Sequence, residues 1–334
     1  MKSSNTMDPV LSVRNLRMSF FTSDGEVRAL DGVDFDIAPG STLGLVGESG
    51  CGKSATALSI MKLLPQHSSR IVGGKILFQG HDLVPLGTQA MRAIRGKQIS
   101  MIFQDPMTSL NPVMTIGNQV IEAILLHEPV GRKTARARAI EMLGLVGIPS
   151  PQLRMDQYPF QLSGGMRQRI MIAMALCCGP ILLLADEPTT ALDVTVQAQI
   201  LDLMATLQRK FEMGVLLITH DLGIVAHYSD EVAVMYGGKI VERATTAALF
   251  QQPRHPYTLG LMDSIPGEQP PKGAINAIPG TVPSALNWPT GCRFRTRCAL
   301  AGPDCAAAEP PLVRVGPHHW VACFRTTALD RDAP

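Results

Sequence analysis

Eight consecutive residues, Gly47-Glu48-Ser49-Gly50-Cys51-Gly52-Lys53-Ser54, carry the most explicit chemistry in this sequence. Glycines at this spacing let the backbone turn so that several N–H groups face one point. At the positive end of a following helix, that point suits a phosphate. Lys53 is then placed to neutralise β- and γ-phosphate oxygens and the Ser54 hydroxyl to ligate Mg²⁺, with Ala55 completing the nucleotide-contacting run. The bland alternative, a flexible Gly-rich turn, does not explain the apolar strand before the segment or the helix after it. Further along, Asp186 and Glu187 end the apolar run Ile181-Leu182-Leu183-Leu184-Ala185. One carboxylate to hold a metal and another to orient a water is what phosphoryl transfer requires. Without the phosphate loop upstream, the same pair would read equally well as a cap for a helix starting at Pro188.

Between these two motifs lies Leu162-Ser163-Gly164-Gly165-Met166. It reads as an N-cap serine opening a helix, whose hydroxyl and free backbone N–H groups make an anion site with no bulky side chain in the way. Alone it would be only a cap.

The elements that must position these residues follow an α/β alternation. Residues 10–46 read as short alternating strands with turns at Asp24-Gly25 and Pro39-Gly40. A strand over Leu43–Val46 feeds the Gly-rich loop, and a helix is expected from about Lys53 to Leu64. Strands near 75–78 and 98–103 precede a helix-rich stretch from about 115 to 178. The run at 181–185 reads as a strand buried on both faces, and a helix over 194–210 and a strand over 215–219 continue the pattern. Strand, loop, helix, strand indicates a parallel sheet. Beyond Pro253, Pro and Gly rise and periodicity fades, which sets a boundary near 255–265.

Bulk properties bound the remaining options. The chain has 334 residues, 46% hydrophobic and 17% charged, with a net charge of +2. That is room for about two globular domains, and too little charge to imply a nucleic-acid partner. No apolar run approaches the ~20 residues that span a bilayer. Met1-Lys2-Ser3-Ser4-Asn5-Thr6 lacks the apolar core of a signal peptide, so the chain is expected in the cytosol, free to dock on a membrane protein.

Phosphate loop, Ser-Gly-Gly helix start and acidic pair, in that order, resemble the ATP-binding cassette (ABC) ATPases. The resemblance implies a P-loop NTPase core with an N-terminal antiparallel β subdomain, a helical signature subdomain at about 105–178 and a Cys-rich C-terminal extension. The cassette would cover 1–260 and the extension 261–334. It assigns Mg²⁺ to Ser54, Gln104 and Asp186, and the polarising of the attacking water to Glu187. His220, after Leu216-Leu217-Ile218-Thr219, takes the place of the switch histidine, and Gln104 that of the Gln loop. Phe20 would stack on adenine, although the adjacent Phe21 could take that role. Ser163, Gly164, Gly165, Met166 and Asp193 would act on the nucleotide of an opposing subunit, so the chain looks like half of a two-site device.

Three further segments narrow the resemblance: Phe103-Gln104-Asp105-Pro106-Met107-Thr108-Ser109-Leu110-Asn111-Pro112, Tyr158-Pro159-Phe160-Gln161-Leu162-Ser163-Gly164-Gly165-Met166, and Arg254-His255-Pro256-Tyr257-Thr258. They resemble the oligopeptide and dipeptide importer ATPases, most closely the D-type subunit of dipeptide permeases. That family implies a second, homologous ATPase in a heterodimer and two integral-membrane permease subunits. It also implies an extracytoplasmic binding protein and a peripheral location on the cytoplasmic face of the inner membrane. A soluble cassette ATPase of DNA repair or translation is the alternative. Such proteins usually carry coiled-coil insertions or two cassettes, and neither is visible here.

Cys292, Cys298, Cys305 and Cys323 crowd the end of the chain. Their spacing lacks paired C-x2-C knuckles, and softness alone does not choose between zinc, a [4Fe–4S] cluster and free thiols. The importer resemblance implies the cluster. Arg293, Arg295 and Arg297 alternate beside the first cysteine, either compensating cluster charge or forming a solvated strand face.

Overall fold

The computed structural model describes residues 8–104, 109–190, 192–264 and 278–326. The chain forms two compact units, each assembled from separated stretches of sequence. Unit 1 contains residues 1–10, 37–41 and 85–216, and unit 2 contains 11–36, 42–84 and 217–334.

Unit 2 begins with an antiparallel sheet of β1 (Leu11–Thr22), β2 (Gly25–Ile37), β4 (Ser69–Phe78) and β5 (His81–Asp82), ordered β2-β1-β4-β5. β1 and β2 are 12 and 13 residues long, so the expectation of short strands here is corrected. β1 runs against β4 from Leu11↔Phe78 to Phe20↔Ser69. The β3 strand (Thr42–Val46) is wholly buried and lies parallel to β9 (Glu231–Tyr236), Leu43 opposite Glu231 and Val46 opposite Val234. β9 turns back antiparallel into β10 (Lys239–Thr245). Two strands from beyond the expected boundary extend this arrangement. β12 (His319–Val321) pairs with β10, and β11 (Val313–Gly316) pairs with β12. Helix α1 (Lys53–Ile60) follows β3 and ends earlier than expected, where Lys62 takes a left-handed backbone.

Unit 1 pairs β6 (Ile99–Ile102) in parallel with β7 (Leu182–Asp186), Ile102 opposite Ala185. Every residue of both strands is buried, which is why the sequence reads there as an unbroken apolar run. Its helices include α2 (Thr88–Ile94), α3 (Ile116–His127), α4 (Arg132–Leu145), α5 (Pro151–Arg154), α6 (Gly164–Leu176) and α7 (Val194–Phe211). α3, α4 and α6 pack on one another, burying Ile116, Val120, Ile124, Ala135, Ala139, Leu143, Ile170 and Ala173. β8 (Gly214–Thr219) carries the chain from unit 1 into unit 2 and leads to α8 (Leu222–Tyr228).

In unit 2, α9 (Thr246–Gln251) and α10 (Pro256–Asp263) close a core of Val46, Val225, Val234, Tyr236, Leu249, Tyr257 and Phe294. Buried Glu242 on β10 accepts from the N–H groups of Arg254 (2.6 Å) and His255 (2.9 Å) and contacts His319 Nε2 at 2.8 Å. His255 caps α10, its Nδ1 accepting the Tyr257 N–H at 3.0 Å. Burial pushes its pKa from 6.5 down to about 4, with Glu242 opposing the shift. The unfolded chain therefore takes up this proton near pH 6.5 while the folded chain resists to about 4. The stability from His255 is complete above the first value and is lost as pH falls toward the second. The melting temperature of the wild type should fall more steeply over that window than that of His255→Asn, which keeps a cap acceptor but does not titrate. Parallel thermal melts against pH check this.

Candidate nucleotide site

Unit 2 carries the phosphate loop. β3 delivers Gly47, and Gly52 precedes α1 with a left-handed backbone and no side-chain cap. Lys53 is buried, and its Nζ donates to the carbonyls of Gly47 (2.7 Å) and Glu48 (3.0 Å). The ammonium therefore lies inside the curve of the loop. Burial raises the pKa of the Cys51 thiol, which keeps it a neutral packing residue rather than a second anion. A Cβ on Gly47 would sit 2.2 Å from the Met235 carbonyl, so only glycine lets the loop pass β9. Phe20 is half-buried on β1, while Phe21 is exposed with the Arg70 guanidinium 5.8 Å from its ring centre. His220 is exposed, directly after β8. Next to it Asp221 caps α8, accepting the Gly223 N–H at 2.7 Å.

Unit 1 carries the acidic pair and the signature segment. Asp186 is buried at the end of β7, and Glu187 follows with a left-handed backbone, φ 45°. Such a conformation is strained for a non-glycine residue and re-aims the side chain away from the strand direction. The Gln104 amide donates to Glu187 Oε2 at 3.0 Å, and the Thr190 hydroxyl donates to the same oxygen at 3.0 Å. The structure thus brings together Gln104 and Glu187, 83 residues apart. Asp105, Pro106, Met107, Thr108 and Ala191 lie outside the described residues.

Ser163 caps α6, accepting the Met166 N–H at 3.4 Å, and Ser163 and Gly164 are both exposed. Asp193 caps α7 through the Val196 N–H at 2.9 Å and is also exposed. Gln168, which sequence reasoning did not single out, is buried on α6 and donates to the Pro188 carbonyl. It ties the signature helix to the residue after Glu187. Only its place one turn into that helix hinted at the role.

The four terminal cysteines share a neighbourhood in unit 2. Cys292 N–H donates to the Cys305 carbonyl at 2.8 Å, and Cys323 senses the charges of Cys292, Cys298 and Cys305. Gly291 has φ 66°, and a Cβ there would lie 2.3 Å from the Cys305 carbonyl. Burial pushes the thiols of Cys292 and Cys298 up, and that of Cys323 to about 11. Four thiolates so placed would need a cation among them. Among the described residues, however, no three His, Cys, Asp or Glu side chains converge so as to hold a metal ion. The expectation of a metal-holding tail is not supported by that geometry. Neither expectation for the alternating arginines describes Arg293 and Arg297. Both are buried, with their donors directed to carboxylates and carbonyls of unit 2.

Phosphate loop, acidic strand end and capped Ser-Gly-Gly helix on this α/β scaffold define an ATP-binding-cassette ATPase. Residues 30–190 match the family model described as ABC transporter, and residues 241–305 match the oligopeptide/dipeptide transporter C-terminal region. The chain belongs to the family of ATP-binding proteins of peptide ABC transporters. It is 52% identical over 318 residues to the dipeptide transport ATP-binding protein DppD of Bacillus subtilis, covering 95% of each chain. It is 51% identical to the oligopeptide transport ATP-binding protein OppD of the same organism, over 97% of this chain and 90% of the other. The dimeric cassette MJ0796 superposes with a TM-score of 0.63 at 25% identity, over 71% of this chain and 98% of that one. The same cassette is also known in a post-hydrolysis dimer bound to ADP and Pi. A soluble role in DNA repair or translation finds no support among these relatives. No helix among the described residues is long and apolar enough to cross a membrane.

Gly47→Ala should lower stability by roughly 2–4 kcal/mol, as a backbone clash at a tight turn does, and should abolish measurable ATP binding. Denaturant melts and titration calorimetry with Mg-ATP check both.

Proposed function

We propose that this ATPase energises the uptake of di- or oligopeptides, or a related small solute, across the cytoplasmic membrane. The supporting observation is the joint match of one chain to a cassette and to a peptide-transporter C-terminal region, with relatives named for peptide transport over 95% of its length. In this reading the chain sits peripherally on the cytoplasmic face of the membrane. Its helical segment docks on two integral-membrane permease subunits. A second, homologous ATPase completes the pair, and an extracytoplasmic binding protein delivers the cargo.

The residues then divide the work. The Gly47–Ser54 loop, with Ala55 beside it, cradles the phosphates through those of its backbone N–H groups that face inward, the Glu48 N–H being taken by the Tyr257 hydroxyl, and Lys53 neutralises their oxygens. Phe20 stacks on adenine. Ser54, Gln104 and Asp186 hold Mg²⁺, which supplies charge stabilisation when bound. Glu187 orients and polarises the attacking water, and His220 contacts the γ-phosphate. The Gln104–Glu187 hydrogen bond supports this division, because it places the neutral amide where it registers the state of the catalytic carboxylate. Ser163, Gly164, Gly165, Met166 and Asp193, on two exposed helix starts, act on the nucleotide of the opposing subunit. ATP-driven closure and hydrolysis bias two states of the permease.

The four thiols are soft donors of the kind a [4Fe–4S] cluster takes, and such a group would cross-link the tail, although among the described residues their side chains do not converge on a metal position. Iron and acid-labile sulfide assays on anaerobically purified protein should give four iron per chain. Stoichiometric zinc without sulfide would replace the cluster by zinc.

Glu187→Gln should cut ATP turnover by about a hundredfold or more, the scale of a lost catalytic base, and trap ATP in a tight pair of cassettes. Wild-type turnover would remove Glu187 from its role. An affinity pull-down from detergent-solubilised membranes should recover two polytopic permeases and a second cassette. Recovery from the soluble fraction alone would sink the transport reading.

A further inference from the structure

The phosphate loop of this chain carries an anion of its own. Glu48 lies immediately after Gly47, and a carboxylate there opposes the approach of a polyphosphate. Its partner comes from the far end of the chain. Arg297 Nη1 donates to Glu48 Oε2 at 2.5 Å and Nη2 donates to Oε1 at 2.9 Å, the forked geometry that fits guanidinium to carboxylate. The Arg297 side chain is 4% exposed. Its remaining contacts are with the same C-terminal segment and β9: Nε donates to the Pro279 carbonyl at 2.9 Å, and the guanidinium lies 5.8 Å from the Tyr236 ring centre. Pairing with Glu48 raises its pKa above the ordinary arginine value, so it is cationic at any working pH.

Two other bonds fasten the loop to the same surroundings. The Glu48 N–H donates to the Tyr257 hydroxyl at 2.8 Å, and the Gly238 N–H donates to the Cys51 carbonyl at 2.8 Å. The Gly237-Gly238 turn is held in its turn by Arg293, which donates to the Gly237 carbonyl and to Asp31 beneath the ring of Trp288. The phosphate loop is therefore held directly by Arg297, Tyr257 and Gly238, with Arg293 bracing the turn that carries Gly238.

We propose that Arg297 is a positioning residue for nucleotide binding, pairing with Glu48 to cancel its repulsion of the ATP polyphosphate. The segment beyond the cassette then sets nucleotide affinity as well as the cassette itself. This concerns ATP binding by the chain alone and stands whatever cargo the transporter carries. A purely structural ion pair predicts something different. Buried pairs add little net stability, and any change that spoils the fork should be equally harmful.

The test is Mg-ATP and Mg-ADP affinity of the full chain, measured by titration calorimetry for wild type, Arg297→Gln, Arg297→Lys, Glu48→Gln and the double variant Arg297→Gln/Glu48→Gln, each first checked by thermal melting. Arg297→Gln should weaken ATP binding about tenfold, as expected for one uncompensated charge at short range, and weaken ADP binding less. Arg297→Lys, which keeps the charge and loses the fork, should recover most of the affinity, as should the double variant. The proposal is overturned if Arg297→Gln binds ATP like wild type, if the lysine is as poor as the glutamine, or if removing the Glu48 charge restores nothing. Should Arg297→Gln not fold, Glu48→Gln decides. It should bind ATP at least as tightly as wild type, and a tenfold loss there would equally overturn the proposal.

Discussion

The close approach of Gly47 to the Met235 carbonyl is the constraint on which the nucleotide machinery rests. With a Cβ position only 2.2 Å from that oxygen, no larger residue fits at position 47. The loop curves over its own lysine, whose ammonium donates to the Gly47 and Glu48 carbonyls. β9 is therefore more than a sheet neighbour of β3. It is the wall against which the loop is shaped, and the turn that follows it fastens the loop again through the Gly238 N–H. A phosphate cradle needs its donors fixed before the ligand arrives, because groups already in place pay no reorganisation on binding.

A fixed cradle with a built-in carboxylate would bind polyphosphate poorly, and unit 2 solves this within its own chain. Two arginines from one short stretch hold the loop and the turn beside it, one pairing with Glu48 and the other with Asp31 and the Gly237 carbonyl. Both guanidinium groups lie beside aromatic rings, Tyr236 and Trp288, which hold planar cations without competing for their hydrogen bonds. The C-terminal strands β11 and β12 belong to the same construction. β12 pairs with β10 and β11 with β12, just beyond the segment that carries Arg293 and Arg297, and His319 on β12 meets the buried Glu242.

What was legible in the sequence was local. Gly47 to Ser54, the buried run ending in Asp186-Glu187 and the cap at Ser163 each declare themselves within about ten residues, because backbone turn, periodicity and capping are short-range effects. The strands at 42–46, 99–102, 182–186 and 214–219 were placed to within a residue for the same reason. By contrast, β1 and β2 run far longer than their broken alternation suggested, β4 begins at Ser69 rather than near 75, and β9 and β10 were not anticipated. Arg293 and Arg297 could be seen but not interpreted. Their alternation suggests one face of a strand, whereas the segment is a series of turns and their partners lie more than 240 residues away. No pattern near an arginine encodes a carboxylate that distant. β11 and β12 were missed because three or four residues are too few for periodicity to register.

Glu187 shows why geometry adds what a motif cannot. Its place after an apolar strand suits either a helix cap or a catalytic carboxylate. A cap needs no strained backbone and would direct its oxygens to the N–H groups of the following turn. Here the backbone is left-handed, and one carboxylate oxygen takes hydrogen bonds from the Gln104 amide and the Thr190 hydroxyl. Two neutral donors on one oxygen orient the group. A left-handed backbone at Glu187, with Gln168 fixing the Pro188 carbonyl just beyond it, sets this residue apart from a simple helix cap.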